Sequence, residues 1–269
     1  MRPEIIQAIP DWIFVALKKW GWKGFFDSWK AALLQSGGYD ADNILQRVRT
    51  ASLRVKKGEA LFERDSVLFN KSEYCWELLA VLMWIAAQHN GSLNIIDFGG
   101  SLGSTYYQYK YFFASLRSVL WNIVEQPNFV RDGRRLFENE SLKFYSSIDE
   151  CVLSVGNKLD IGGVLLSGVL QYLEHPYSLL TDIVKRKLQY IIVDRTGFTL
   201  KNADDRLTVQ TVHPKIYKAS YPCWFFNEKK FLRFFLNRGY VLHYDFRSLD
   251  IANVPSVYKG FVFELNPNA

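Results

Sequence analysis

Residues 94–113 read NIIDFGGSLGSTYYQYKYFF, and the residues able to do chemistry there are Asp97 and the turn Gly99, Gly100, Ser101 and Gly103. A buried strand needs no carboxylate at its end, and a plain strand-to-helix turn rarely needs three glycines. Glycine permits φ > 0 and removes the Cβ that would keep a ligand from the backbone. Glu125 closes the next apolar run, VLWNIVE, where a carboxylate can accept hydrogen bonds from both hydroxyls of a ribose. An acid, a glycine turn and a second acid one strand later point to a nucleoside-containing ligand.

The placement of Asp97 separates two kinds of cofactor. Dinucleotide sites use GxGxxG with the pyrophosphate on a helix N-terminus. Here the acid stands two residues before the first glycine and Ser101 replaces the middle one. A carboxylate at that point repels a pyrophosphate but suits the ammonium group of S-adenosylmethionine. Glu125 fits either ligand and does not discriminate.

These residues need a sheet to hold them. From residue 93, short β-branched runs alternate with helical segments: LNIIDF, VLWNIVE, LKFYSS, IGGVLLS and LQYIIVD, with TYYQYKYFFASL, NFVRDGRRLFE, SIDECVLSV and PYSLLTDIVKR between them. That rhythm predicts a mostly parallel sheet with helices on both faces, which binds ligands beyond the carboxyl ends of its strands. After Asp194 the rhythm breaks for about thirty residues, a length that is usually functional in a compact domain. The helix NEKKFLRFFLNR and the strands YVLHYDF and YKGFVFEL follow, the last as a hairpin partner. The expected fold is therefore α/β and Rossmann-like: seven strands, the last antiparallel, in the layout of a methyltransferase rather than a dehydrogenase. Upstream, EYCWELLAVLMWIAAQH is a helix apolar nearly all round, ended by Asn90–Gly91. DSWKAALLQ and ADNILQRVRTASLRV are helices with Asp27 and Asp40 as caps. The division expected is a helical extension or lid over 1–90 and a core over 91–269, with an insertion at about 196–226.

Composition narrows the partners. The net charge of +6 favours anionic ligands, but lysines and arginines are scattered and no RNA-binding signature is present, which argues against nucleic acid. Cys75, Cys151 and Cys223 lie far apart, and the four histidines form no HExxH, so neither a disulfide framework nor a metal site is expected. The isolated cysteines suit a reducing cytoplasm. The N-terminal apolar run is broken by Pro10 and Asp11. It is too brief to span a bilayer and reads as a helix docking on its own domain or on a second copy in a homodimer. Peripheral association with the inner face of a membrane is the alternative.

The segments DFGGSLG, VEQPNFV, VLLSGVLQYLEHPYSLL, YIIVDRTGF, DRLTVQ and ASYPCWFF, with GYDADNIL and GEALFERDSVLF upstream, resemble a family of class I methyltransferases common in bacterial O-antigen and capsule gene clusters. The resemblance implies S-adenosylmethionine as cofactor and names it better than the acceptor. Carried over residue by residue, it implies that Asp97, Gly99, Ser101 and Gly103 hold the methionine end. Glu125 and Gln126 would hold the ribose and adenine edge, and Ser167, Gly168 and Gln171 would line the sulfonium side.

Methyl transfer to oxygen is an in-line displacement that needs orientation and a base for the hydroxyl proton. The candidates for the base are Asp194, His175, His213 and Asp205. Asp194 beside Arg195 also reads as a structural ion pair, and His175 before Pro176 as a helix cap. Arg195 and Arg206 would grip an acidic group of the acceptor. Tyr217, Tyr221 and Trp224 have the shape to stack on a sugar ring, or to pack the insertion onto the sheet. FERDSVLF (62–69) reads as a solvated turn or a lid over the cofactor. The activity expected is O-methylation of a sugar or sugar-linked acceptor in surface polysaccharide synthesis. An RNA or polyanion methyltransferase, a non-catalytic S-adenosylmethionine-binding partner and a nucleotide-sugar or NAD enzyme remain rivals.

Overall fold

The structure, a computed structural model, describes residues 20–38, 41–70, 75–156, 161–214 and 216–267. The expectations for residues 1–19, and for Asp40 as a helix cap, lie outside them. In chain order the elements are β1 (Gly21–Lys23), α1 (Trp29–Leu34), α2 (Ala41–Lys56), β2 (Phe62–Arg64), β3 (Val67–Phe69) and α3 (Trp76–Gln88). The alternating part follows: β4 (Ser92–Phe98), α4 (Ser104–Phe113), β5 (Ser118–Val124), α5 (Pro127–Leu136), β6 (Leu142–Tyr145), α6 (Ile148–Val155), β7 (Gly163–Ser167) and α7 (Pro176–Lys185). Then come β8 (Tyr190–Thr199), β9 (Arg206–Thr211), β10 (Ser220–Phe225), α8 (Glu228–Leu236), β11 (Tyr240–Arg247) and β12 (Ser256–Leu265).

Seven of these strands form one sheet in the order β11-β12-β8-β7-β4-β5-β6. β4 pairs in parallel with β5 and β7, and β8 with β7, while β12 runs antiparallel to both β8 and β11. This is the expected sheet. Counting from β4, the first strand of the alternating part, the order is 3-2-1-4-5-7-6. Successive residues of β4 bury on opposite faces: Ile95 packs with α3, α4 and α5, and Ile96 with α6, α7 and α8. Both faces are covered, so the strands read as continuous apolar runs rather than as alternation.

Three regions differ from the expectations. The N-terminal section is not all helical, because β2 and β3 form a hairpin whose two turn residues, Asp65 (φ 51°) and Ser66 (φ 65°), are both left-handed. Such a turn matches strand twist, but it is usually written with glycine or asparagine, so FERDSVLF carries no hairpin signal. Helix α1 is capped by Ser28 rather than by Asp27; the Ser28 hydroxyl accepts from the Ala31 N–H at 3.2 Å. The insertion is ordered: β9 pairs with both β1 and β10 in a small antiparallel sheet. Pro222 obscured β10, and it is tolerated because β10 lies at the sheet edge.

The N-terminal helices are tied to the core by charge as well as packing. Asp132 on α5 is buried, and Arg49 on α2 reaches it at 3.0 Å, with Arg135 at 3.2 Å from its own helix. Next to it, Gly133 lets α5 approach β6, since a Cβ there would lie 2.3 Å from the Phe144 ring. Alanine in a helix interior is favoured over glycine by about 1 kcal/mol, whereas overpacking a filled core costs about 1–3 kcal/mol. Packing wins here: Gly133→Ala is expected to lower the urea midpoint and stability by about 1–2 kcal/mol. A rise in stability would show that α5 can move away from the sheet.

Candidate active site

The glycine turn is built largely by the protein's own packing. Gly99 (φ 75°) faces Val169, with 2.7 Å left for a Cβ, and a Cβ on Gly100 would lie 2.5 Å from the Asp97 carboxyl. Asp97 is thus sealed under the turn, 1% exposed, and its carboxylate accepts from the Trp121 indole N–H at 2.9 Å. Burial pushes its pKa up to about 7; the Trp121 bond opposes the shift and the Glu125 charge adds to it. Two of the three glycines therefore have a reason that involves no ligand. Gly103 (φ 98°) is the left-handed entry to α4.

Glu125 stands at the end of β5, half-buried, and each of its carboxylate oxygens takes one backbone N–H: Ser101 at 3.3 Å and Gln126 at 2.7 Å. Burial raises its pKa against those two bonds. Each oxygen keeps a lone pair for a further donor. Gln126 itself is exposed at the head of α5. Across the turn, Gln171 is 2% exposed; its amide donates to the Arg195 carbonyl at 3.0 Å, while its Oε1 accepts from no group among the described residues.

The centre of the cleft is Asp194. β8 carries a bulge there: Val193 pairs with Phe261 and Thr196 with Lys259, so Asp194 and Arg195 oppose Gly260 alone. Arg195, the second residue of the bulge, is left-handed (φ 51°). Asp194 is 2% exposed and accepts from the Ser248 hydroxyl at 2.8 Å and the Ser167 hydroxyl at 3.1 Å. Burial raises its pKa; the two hydroxyls and Arg195 counter this, and the Asp250 charge adds to it. Arg195 binds Asp250 in a two-pronged pair at 3.0 and 3.1 Å, with Asp65 at 3.8 Å. Burial opposes the charge on Arg195, but these carboxylates hold its pKa above the usual arginine value.

The β2–β3 hairpin and α4 also line the cleft. Glu63, 3% exposed, accepts from the Ser104 hydroxyl at the start of α4 and from the Ser66 N–H at 3.1 Å. The cleft, of about 470 Å³ including its mouth, is lined by Glu63, Arg64, Ser104, Thr105 and Gln108 on this side and by Ser167, Asp194, Arg195, Ser248 and Asp250 on the other.

Of the residues singled out in the sequence, Ser167, Asp194 and Arg195 line this cleft, with Gly168 and Gln171 in the loop beneath it. His175 heads α7 with its side chain 76% exposed, and its nearest acid is the adjacent Glu174 at 3.9 Å. The His213 ring lies 5.3 Å from that of Trp20, tilted by 56°. Asp205 accepts from the N–H of Asn227, the cap of α8, at 2.6 Å and pairs with Lys230. The Arg206 guanidinium donates to the Gly24 carbonyl at 3.3 Å, within the small sheet. The Tyr217 hydroxyl lies 3.3 Å from that of Tyr221, and Trp224 stacks on Trp29 while donating to the Leu173 carbonyl at 3.2 Å. None of these seven lines the cleft. Ser104, Gln108, Ser248 and Asp250 do, without having been singled out; the first two sit on α4, and the others in the loop after β11, which carries no motif.

Sheet order and site position together define a class I methyltransferase fold. No protein-family model matches the chain, and no curated protein matches it. Among solved structures it is similar to the N-terminal domain of EvdMO1, solved with S-adenosylhomocysteine and D-fucose, at 14% identity over 85% of this chain and 98% of that one, TM-score 0.48. It is also similar to the magnesium protoporphyrin IX methyltransferase ChlM of Synechocystis PCC 6803, at 10% identity over 86% and 99% of the two chains, TM-score 0.46. The 1,6-didemethyltoxoflavin-N1-methyltransferase of Burkholderia thailandensis gives 13% identity, 85% and 92% coverage and a TM-score of 0.43. Likenesses of this size say nothing about what this chain binds. Among the described residues no helix is long and apolar enough to cross a membrane, and no group of three or more potential ligands could hold a metal ion.

Glu63 gives the site a pH signature. Burial raises its pKa from 4.5 to about 7, opposed by the Ser104 bond and reinforced by Asp65. Between those values the unfolded chain has lost the proton that the folded chain keeps, so stability falls as pH rises through this window, by about 3 kcal/mol in all. Glu63→Gln keeps a partner for Ser104 and Ser66 and removes the titration. Urea midpoints at pH 5 and pH 8 are expected to show the variant gaining on the wild type as pH rises. An advantage that does not grow with pH would mean that Glu63 ionises normally.

Proposed function

We propose that the chain is an S-adenosylmethionine-dependent methyltransferase acting on a hydroxyl of a sugar or sugar-linked acceptor, in surface polysaccharide synthesis. The observation that carries this reading is the Glu125 carboxylate at the end of β5. It is bonded to the Ser101 N–H of the turn after β4 and has a lone pair free on each oxygen. In a sheet of this order, that is where two ribose hydroxyls would be held. The unpartnered Gln171 Oε1 below the cleft is a second polar atom fitted to receive a donor. The polysaccharide context rests on the sequence resemblance alone.

The bound cofactor would supply an electrophilic methyl group on a sulfonium. The protein's own part is orientation and proton transfer. Asp194 is the one candidate base that lines the cleft, and its raised pKa makes it a better proton acceptor than an exposed carboxylate. Ser167 and Ser248 fix its two oxygens, so an acceptor hydroxyl would meet a carboxylate that does not rotate. Asp97 acts beneath the turn rather than on the ligand, as a sealed support whose removal would loosen Gly100. A polyanionic acceptor fits less well. The cleft sets the carboxylates of Glu63, Asp194 and Asp250 against only Arg64 and Arg195, whereas phosphate-backbone binding needs an excess of cations.

Isothermal titration with S-adenosylmethionine, S-adenosylhomocysteine and NAD tests the cofactor. Both methyl-cycle ligands are expected to bind and NAD not, and Glu125→Ala is expected to weaken them at least tenfold, about 1.4 kcal/mol. Tight NAD binding, or no effect of the substitution, would refute the assignment.

A further inference from the structure

Arg64 is a largely buried guanidinium whose partners do not account for its charge. Its one hydrogen bond, to Gln108 Oε1, is 3.4 Å long, and it lies over the Phe62 ring at 5.9 Å. Among the described residues it forms no ion pair. The acids around it are committed elsewhere: Asp250 to Arg195, Asp194 to Ser248 and Ser167, Glu63 to Ser104 and Ser66. Burial and then the Arg195 charge pull the Arg64 pKa down, against the attraction of Asp250, Asp65 and Asp194. Arginine offers five N–H donors in a planar fork that matches a carboxylate or phosphate. A buried charge without its counterion is costly, and this one lines the same cleft as Ser104, Thr105 and Asp194.

We propose that Arg64 receives an acid group, carboxylate or phosphate, of the methyl acceptor. The substrate class is then an acidic hydroxyl compound such as a uronic acid or a phosphorylated sugar. Its acid would dock on the hairpin wall and its hydroxyl would face Asp194 across the cleft. The word acceptor rests on the methyl-transfer reading above; the anion site does not. The role expected of Arg195 from the sequence passes to Arg64, because the Arg195 fork is filled by Asp250.

The test titrates the full chain with D-glucuronate, inorganic phosphate and, as a neutral control, D-glucose, each with and without saturating S-adenosylhomocysteine. Wild type is expected to bind glucuronate or phosphate saturably and glucose not, with the affinity reduced at least tenfold in Arg64→Gln. Equal anion affinity in the two proteins, or no anion binding by wild type in either state, overturns the proposal. Should Arg64→Gln fail to fold, Arg64→Lys keeps the charge without the fork; at least a threefold loss is expected, and no loss overturns the proposal. A parallel titration compares S-adenosylhomocysteine with 5′-methylthioadenosine, which lacks the amino-acid end. If Arg64→Gln weakens only the former, the anion received is the donor's own carboxylate and the acceptor assignment falls. If wild type binds the anions but neither adenosine ligand, the methyl-transfer reading fails and the anion site stands.

Discussion

The bulge in β8 is the constraint on which the rest of the site depends. Placing Asp194 and Arg195 against the single residue Gly260 lets the strand continue to Thr199, in register with β12, while both polar residues line the cleft. A left-handed arginine costs about 1 kcal/mol or more, and its neighbours over-determine it. Its N–H donates to Ser248 and its carbonyl accepts from Gln171, while the Asp194 carbonyl takes the Gly168 N–H at 3.0 Å. Gly260 is matched by Phe246, its direct partner on β11, whose ring occupies the space a Cβ would need. Four segments thus meet at one irregularity: β7, β8, the loop after β7 and the loop after β11.

The site is built from buried acids held mainly by neutral donors. Asp97 has an indole N–H, Glu125 two backbone amides, Asp194 two serine hydroxyls, and Glu63 a serine hydroxyl and an amide. Such partners satisfy the lone pairs without cancelling the charge, and burial raises the pKa of all four. Asp250 shows the contrast. Burial works against its ionisation as well, but the Arg195 fork holds its pKa below the usual range. A raised carboxylate in a cleft is what proton transfer needs, and Glu63 and Asp97, both pushed up to about 7, make the folded state sensitive to pH near neutrality.

The sheet was legible because each core strand is a continuous apolar run bounded by glycine or a polar turn, and the α/β alternation fixes its class. The acids at strand ends, Asp97, Glu125 and Asp194, could be picked out for the same reason: a charged residue closing a buried run is conspicuous. What Asp97 does there was not legible. Its bond to Trp121 and the Val169 contact at Gly99 are long-range packing facts, and the glycine pattern looks the same whether a ligand or a side chain fills the space. The histidines were equally opaque, since His175 and His213 differ from a catalytic histidine only in where the chain carries them. The β2–β3 hairpin, Ser248 and Asp250 come to the cleft from segments far apart in sequence with no periodic signal, and Arg64 gains meaning only from the lack of an ion partner.

The proposed methyl transfer in this cleft, with Asp194 as its base, can be tested directly. The direct measurement is incorporation of radiolabelled methyl from S-adenosylmethionine into the small-molecule and glycan fractions of a bacterial extract, comparing wild type with Asp194→Asn. Label is expected in an acceptor fraction with wild type, with a loss of about a hundredfold in the variant, the size expected for a general base, and S-adenosylhomocysteine affinity retained. Equal incorporation by the two proteins would contradict the role of Asp194. Binding of the cofactor with no transfer to any fraction would contradict the enzymatic claim.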